Sequence, residues 1–174
     1  MNIRRWSTAT VLAAMALLGS TWMTRPLAAQ GPMGNGQAGD PAFAADRELF
    51  HELLEHRDDI RREVKRKERG VETLTESDKP LVAAAIQRHV ASMEQRVKDK
   101  KPIHLRDPLF AEVFRHTDKI VFVHEKTEKG MRVTETSDDA YVVKLIQAHA
   151  DVVSLFLKNG FQEVRRNHEV PAKP

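Results

Sequence analysis

Residues 70–89 read GVETLTESDKPLVAAAIQRH, and residues 130–149 repeat this pattern as GMRVTETSDDAYVVKLIQAH. The register between the two stretches is a constant 60 positions without a gap. A self-match at one fixed offset is typical of a duplicated supersecondary unit. We therefore expect two copies of one unit, which span about residues 50–99 and 110–159.

Each copy carries signals for a helix, a β-hairpin and a second helix, in that order. Apolar residues at helical spacing predict a first helix from about Phe43 to Arg57. Its counterpart in the second copy is predicted to begin at Asp107, a good N-cap residue, which is followed by Pro108. The β-branched and aromatic run at 120–124 predicts the first strand of the second hairpin.

Residues with turn and capping chemistry separate these elements. Gly70 and Gly130 stand at hairpin loops that we expect to contain roughly three to five residues and to need a positive φ angle. The Ser-Asp pairs at 77–78 and 137–138 are suited to capping a helix N-terminus. A long helix is therefore predicted to begin after each pair.

Together these signals predict an α+β fold class. Two tandem helix–β-hairpin–helix repeats give a four-stranded antiparallel sheet that is covered by helices and has pseudo-twofold symmetry. The two long helices each have an apolar stripe that includes a histidine. The stripes consist of Val82, Ile86, His89, Met93 and Val97 in the first copy and of Val142, Ile146, His149, Val153 and Phe156 in the second.

The N-terminal segment predicts export. Arg4 and Arg5 precede an apolar run that is too short to cross a bilayer, which needs roughly 20 residues. We predict a cleaved signal peptide at residues 1–29, a flexible linker at 30–42 and a single globular domain at 43–170. The expected product is periplasmic or secreted and has no stable membrane anchor after cleavage.

Charge and cysteine content narrow the function classes. The chain has 28 basic and 25 acidic residues, and because the predicted leader removes three basic ones, the mature chain is formally neutral. A neutral chain gives no reason to expect a nucleic-acid partner. The charged run at 61–69 is predicted to protect an exposed strand edge. The absence of cysteine excludes disulfides, thiolate catalysis and covalent c-type haem attachment.

The histidines are the sharpest functional signal. His56 matches His116 and His89 matches His149 at the offset of 60 residues. Neutral imidazole is a good ligand for Cu, Zn or Fe, so these four residues predict a transition-metal site, with non-covalent haem as the less favoured cofactor. His124, on a strand of the second copy, is an additional candidate ligand. His89 and His149 are expected to be neutral and to have a partner.

Several alternatives remain. His116, His124 and His149 can form a three-histidine site with an open coordination position. Otherwise His89 and His149 are satisfied core histidines, hydrogen-bonded to a carbonyl or a carboxylate, in a structural or protein-interaction module. The second hairpin is apolar on both faces, so we expect it to be covered by the rest of the protein or by a partner, which is a second copy of the chain or a periplasmic protein. Whether the protein is an enzyme is left open, although binding or carriage fits better than catalysis.

The remaining histidines carry weaker signals. His51 and His56 are five residues apart and do not share a helix face, so they do not form a zinc-protease helix. His104 and His168 lie beside polar loops and chain ends, where we expect them to be solvated.

The two repeated stretches, each with Ser-Asp and Ile-Gln-x-His, resemble a family of exported bacterial proteins of unknown function. The resemblance covers about residues 50–162, and the family has a histidine at the position of His56. It implies a duplicated, exported domain and brings no established activity. The chain departs from the family at 79–80 and 139–140, where Asp-Pro is expected after Ser-Asp, and this affects only the helix start.

Overall fold

The structure is a computed structural model and describes residues 40–173. The predicted signal peptide at 1–29 and most of the predicted linker at 30–42 lie outside the described residues. We call residues 40–99 the first half and residues 100–173 the second half. The elements are α1 (Phe43–Glu55), β1 (Ile60–Lys67), β2 (Gly70–Ser77), α2 (Pro80–Asp99), α3 (Pro108–Arg115), β3 (Val121–Thr127), β4 (Gly130–Thr136), α4 (Ala140–Asn159) and α5 (Phe161–Val164).

The four strands form one antiparallel sheet in the order β1-β2-β4-β3. The two hairpins therefore meet through their second strands, where Gly70 pairs with Thr136 and Glu76 pairs with Gly130. The predicted α+β class with a four-stranded antiparallel sheet is confirmed. Strand β1 lies at an edge, so its charged residues occupy the position that the sequence predicted for them.

The two long helices cover one face of the sheet, and each packs on the hairpin of the other half. Helix α4 packs on β1 and β2, while α2 packs on β4, β2 and β3. Ile146 of α4 lies in one cluster with Val71 of β2, and Ile86 of α2 lies in another with Met131 of β4. Burying a side chain of this size stabilises the fold by roughly 1.5–3 kcal/mol. The crossed packing therefore joins the halves through their cores.

The repeated glutamines reinforce this crossed packing. Nε2 of Gln87 on α2 donates to the carbonyl oxygens of Thr127 at 3.1 Å and Gly130 at 3.2 Å, at the two ends of the β3–β4 turn. Nε2 of Gln147 on α4 makes the same pair of hydrogen bonds to the β1–β2 turn, both at 3.1 Å. Each half thus holds the turn of the other half.

The Ser-Asp pairs have a different role from the predicted helix caps. In the second half, the N-cap of α4 is Asp139, whose Oδ1 accepts from the backbone N–H of Tyr141 at 2.9 Å. In the first half the N-cap of α2 is Lys79, which makes no side-chain cap. The helices begin one residue later than capping by Asp78 or Asp138 requires, so the cap prediction is wrong.

The two aspartates of these pairs instead join the halves electrostatically. Asp78 accepts from Nζ of Lys129 at 2.8 Å, in the turn of the other hairpin. Asp138 pairs in the same way with Arg69, in the turn of the first hairpin. These pairs are solvent-exposed, so each adds little to the stability of the fold.

The hairpin glycines are needed for close approach between strands. Each turn has two residues, at 68–69 and 128–129, so the predicted loop of three to five residues is wrong. Gly130 does not have the predicted positive φ, and Gly70 has a φ of 154°. A Cβ on Gly70 would overlap the carbonyl oxygen of Glu135, and one on Gly130 would overlap that of Thr75. The central strands β2 and β4 therefore exclude a side chain at both positions.

Among the described residues, one helix is long and apolar enough to cross a membrane by length and composition alone. This helix is α4, with a mean hydropathy of 1.4. It packs against β1, β2 and α3, so its apolar residues form part of the core of the domain.

Candidate functional site

Asp107 is the fully buried centre of a polar cluster at the start of α3. Its Oδ1 accepts from the backbone N–H groups of Leu109 at 3.0 Å and His168 at 3.2 Å. Its Oδ2 lies 2.5 Å from Nδ1 of His168 and 3.9 Å from Nε2 of His104. The predicted cap at Asp107 is thus confirmed, and the same carboxylate also meets two imidazole rings.

His168 connects the C-terminal segment, residues 165–173, to this carboxylate. Its Nε2 lies 3.1 Å from Oε1 of Glu163, a residue that is 3% exposed. Asn159 orients Glu163 by donating to its Oε2 at 2.5 Å. Burial lowers the pKa of His168, but its hydrogen bonds to the carboxylates of Asp107 and Glu163 outweigh burial and raise that pKa above its ordinary value. Both ring nitrogen atoms of His168 therefore face carboxylates.

His104 is held in a strained backbone conformation beside the same carboxylate. Its φ angle is 59°, in the left-handed region that few non-glycine residues adopt. Its ring packs edge-on against Phe110 at 4.8 Å between centroids, and burial lowers its pKa. Its Nε2 is buried and has no hydrogen-bond partner within residues 40–173. The expectation that His104 and His168 are solvated is wrong, since their side chains are 22% and 12% exposed.

The repeated histidines of the long helices pack against the repeated phenylalanines. The ring of His89 lies 6.0 Å from that of Phe50, and the ring of His149 lies 5.0 Å from that of Phe110. Burial lowers the pKa of both histidines to about 4, so both rings are neutral at neutral pH, as predicted. The predicted partner is missing, because Nδ1 of each ring is buried without a hydrogen bond in the described part of the chain.

His56 and His116 follow the first helix of each half, at its C-cap. His56 is half-exposed, and its Nδ1 lies 3.9 Å from Oδ2 of Asp59. His116 is more buried, with Nε2 3.3 Å from Oε1 of Glu112. The same Glu112 oxygen accepts from the hydroxyl of Tyr141 at 3.1 Å. The two residues at matching positions therefore have different surroundings.

His124 lies on the face of β3 that the helices cover. Its Nδ1 is 3.2 Å from Oε2 of Glu94 on α2, without the geometry of a hydrogen bond. The neighbouring Val121 and Val123 are 59% and 58% exposed, on the opposite face of the sheet. The sequence did not define an inner face for this strand, and the structure shows that His124 faces inward.

The predicted ligands are therefore in contact with different neighbours. Residues 40–173 contain no group of three or more His, Asp or Glu side chains already arranged to hold a metal ion. Among the predicted ligands, His149 shares a neighbour with the Asp107 cluster, because Phe110 packs against both His104 and His149. The four-histidine site stays a prediction.

The first half has a buried polar cluster that sequence reasoning missed. The side chain of Arg96 on α2 is 4% exposed, with Nε 2.5 Å from Oδ2 of Asp46. Its Nη1 lies 2.6 Å from Oδ2 of Asp40, a residue of the predicted linker. Ser92 also donates to Asp46. The partners lie more than 40 residues apart in the chain, so no local pattern identifies them.

Arg62 and Glu135 are polar residues beneath the helices that sequence reasoning also missed. Nη1 of Arg62 donates to Oγ1 of Thr75 at 2.6 Å, and its Nε is buried without a partner among the described residues. Burial lowers the pKa of Arg62 to about 10 and raises that of Glu135 to about 7. Arg62 belongs to the charged run of β1, but it points to the opposite face from its exposed neighbours.

No known protein family, curated protein or solved structure matches this chain. It is an α+β domain in which several imidazole nitrogen atoms are buried without a hydrogen-bond partner among the described residues, and one carboxylate meets two of the histidine rings.

Proposed function

We propose that this chain is an exported protein that binds a transition-metal ion through histidine side chains of its α+β domain. Binding or carriage suits these side chains better than catalysis. One observation carries the proposal: several imidazole nitrogen atoms are buried without a hydrogen-bond partner in the described part of the chain. They are Nδ1 of His89, His124 and His149 and Nε2 of His104.

An unpaired buried nitrogen is costly, which is why these atoms support a ligand. A buried polar atom without a partner costs about 1–3 kcal/mol. Such atoms are rare in native proteins and indicate a water molecule or an ion. The pKa values of His89 and His149, both about 4, keep a lone pair on each ring at neutral pH. Neutral imidazole is the form that binds Zn, Cu or Fe.

The experiment that tests this function is elemental analysis with an absorption spectrum. The mature chain is purified without a histidine tag or chelator. We expect stoichiometric metal in the purified protein, or uptake of added Zn²⁺ or Cu²⁺; a Soret band would identify haem instead. A protein that holds no metal and takes up neither metal ions nor haem on titration would contradict the proposal.

The repeated histidines are the first proposed ligands to test. If His89 and His149 hold the ion, the combined substitution His89→Ala and His149→Ala abolishes metal uptake. His51→Ala, at an exposed position on α1, is the control and leaves uptake unchanged. Full uptake by the double variant would show that these two residues are not the site, while metal binding itself would stand.

We also propose that the two halves are copies of one unit related by an approximate twofold axis. The pairing of Gly70 with Thr136 and of Gly130 with Glu76 supports this, because each pair becomes the other when the halves exchange. The crossed bonds of Gln87 and Gln147 support it in the same way. Superposition of the two halves in an experimental structure tests the symmetry. N-terminal sequencing of the exported protein tests cleavage before Gln30.

A second candidate function is self-association through strand β3. Val121 and Val123 are exposed on the face of edge strand β3 that none of the described helices covers, whereas the other edge carries charged residues. An edge strand can pair antiparallel with the same strand of a second copy, which satisfies its backbone hydrogen bonds and places the apolar side chains of the two copies next to each other. A dimer in solution with slow amide exchange at 120–124 would support this. A monomer with rapid exchange there would exclude it.

A further inference from the structure

We propose that the ion is held by His104, Asp107 and His168, and that its binding fastens the C-terminal segment to the start of α3. This inference rests on the proposed function and names the site. It also connects metal binding with the docking of residues 165–173.

The arrangement around Asp107 is close to that of a metal site. Its Oδ2 is the common neighbour of Nδ1 of His168, at 2.5 Å, and Nε2 of His104, at 3.9 Å. Around a tetrahedral zinc ion, bond lengths of 2.0–2.2 Å place ligand atoms about 3.3 Å apart. The two separations from Asp107 therefore each have to change by less than about 1 Å to admit the ion. Two imidazoles and one carboxylate also leave positions free for water or a substrate.

The groups that form hydrogen bonds with these ligands also fit a metal site. A histidine that binds a metal usually donates its other ring N–H to a carboxylate, which fixes the ring. His168 does this with Nε2, which faces Oε1 of Glu163 at 3.1 Å, and Asn159 holds Glu163 in turn. Oδ1 of Asp107 accepts two backbone N–H groups, so the carboxylate is held with Oδ2 toward the rings.

His104 is the ligand that the present contacts leave unused. Its Nε2 is buried and unpaired within residues 40–173, although its backbone is strained. Strained residues cluster at functional sites. When the ion binds, the proton between His168 and Asp107 leaves to water and the metal takes its place.

The role proposed for the C-terminal segment follows from the position of His168 within it. Beyond this residue, the segment has weaker tethers: Nζ of Lys144 lies 3.4 Å from the carbonyl oxygen of Ala172, and Nζ of Lys173 lies 3.8 Å from Oε1 of Glu112. Both tethers involve exposed lysines. A bond from the metal to His168 is therefore expected to control whether residues 165–173 stay docked.

The first measurement is Zn²⁺ affinity, by equilibrium dialysis on the mature full chain. His104→Asn and His168→Ala are compared with the control His51→Ala; Asn tolerates the left-handed backbone of position 104. Loss of a residue that only orients a metal ligand typically weakens metal binding by roughly 10–100-fold. Each of these variants removes a ligand itself, so each should weaken Zn²⁺ binding by more than this factor. The control should bind like the unmodified chain. Circular dichroism in chelator checks that all variants fold.

The second measurement is amide exchange of residues 165–173 with and without Zn²⁺. Exchange in the unmodified chain should slow about 100-fold when free Zn²⁺ is 100 times its dissociation constant. His104→Asn should remove this effect. Unchanged Zn²⁺ affinity in both variants, or amide exchange that is the same with and without Zn²⁺, would overturn this inference. The proposed function would still stand. A chain that binds no metal at all would overturn both.

Discussion

Arg96 and Phe156 occupy matching positions in α2 and α4, 60 residues apart, and they have opposite chemistry. Arg96 is buried in an ion-pair cluster with Asp40 and Asp46. Phe156 lies among aromatic rings and imidazoles, 6.0 Å from His104 and 6.1 Å from His168. The same place in the two halves therefore contains a buried ion-pair cluster in one and a cluster of aromatic rings and histidines in the other.

This difference separates two kinds of residue. Positions that are identical in both halves, such as Gly70 and Gly130 or Gln87 and Gln147, join the halves to each other. Positions that differ, such as Arg96 and Phe156, decide which chemistry each half contains. In the second half the unmatched residues His104 and His168 surround Asp107, so the repeat alone does not locate the candidate site.

The largest expected effect is loss of the ion pair in the first half. Arg96→Met leaves Asp46 buried without its cation, and we expect a loss of about 3–5 kcal/mol in the free energy of unfolding. Urea denaturation measures it. The control is Arg88→Met, because Arg88 is exposed and lies 3.6 Å from Glu52, and it should cost about 1 kcal/mol or less. Equal losses in the two variants would mean that the buried cluster does not support the first half.

Substitution of the hairpin glycines tests whether the halves are equivalent at repeated positions. Gly70→Ala and Gly130→Ala should each destabilise by about 3 kcal/mol, because the added Cβ overlaps backbone of the facing strand. Gly160→Ala meets only the flexible side chain of Arg57, but its φ of 61° and ψ of −143° form a backbone conformation that is almost exclusive to glycine, so it should cost about 1–3 kcal/mol. Clearly different losses at Gly70 and Gly130 would break the equivalence. Thermal unfolding provides the comparison.

The crossed glutamines should give a smaller effect of equal size in both halves. Gln87→Leu and Gln147→Leu each remove two hydrogen bonds to a turn of the other half, and we expect a loss of about 1–2 kcal/mol per variant. Gln95→Leu is the control, since Gln95 bonds only to the exposed Asp99. If both glutamine variants unfold like the control, the crossed bonds do not hold the halves together.

One further effect is confined to a range of pH. Glu135 has Thr75 as its counterpart, and burial raises its pKa to about 7, above its ordinary value of 4.5. The folded state therefore holds this proton more tightly than the unfolded state, so stability falls as pH rises from about 4.5 through about 7. Glu135→Gln removes this dependence. Denaturation curves at several pH values check it, and an unchanged pH profile would contradict the raised pKa.

Much of the fold follows from local patterns in the sequence. The stripe that ends at Val97 predicted α2, and Asp107 with Pro108 predicted the start of α3. The hairpin turns follow less directly from local patterns. A glycine after a hairpin loop fits a positive φ. At Gly130, however, glycine is required because β2 lies directly against it, and this is a contact between residues that are distant in the sequence.

The candidate site was the hardest part to predict. Asp107 was identified as a helix cap, and the sequence contains no sign that it is also fully buried. His168 follows it by 61 residues and lies near a chain end, where solvated histidines are common. Periodicity can reveal an apolar face, but it cannot show which distant polar residues meet.

The sequence by itself determined the order of the elements, the α+β class and the neutral state of His89 and His149. These properties depend on hydrophobic spacing and on burial, which are encoded locally along each helix and strand. Only the tertiary structure decided that each long helix covers the other hairpin and that His104, Asp107 and His168 meet. Such contacts depend on how the chain crosses itself, because residues far apart in sequence come together only when the whole core is packed.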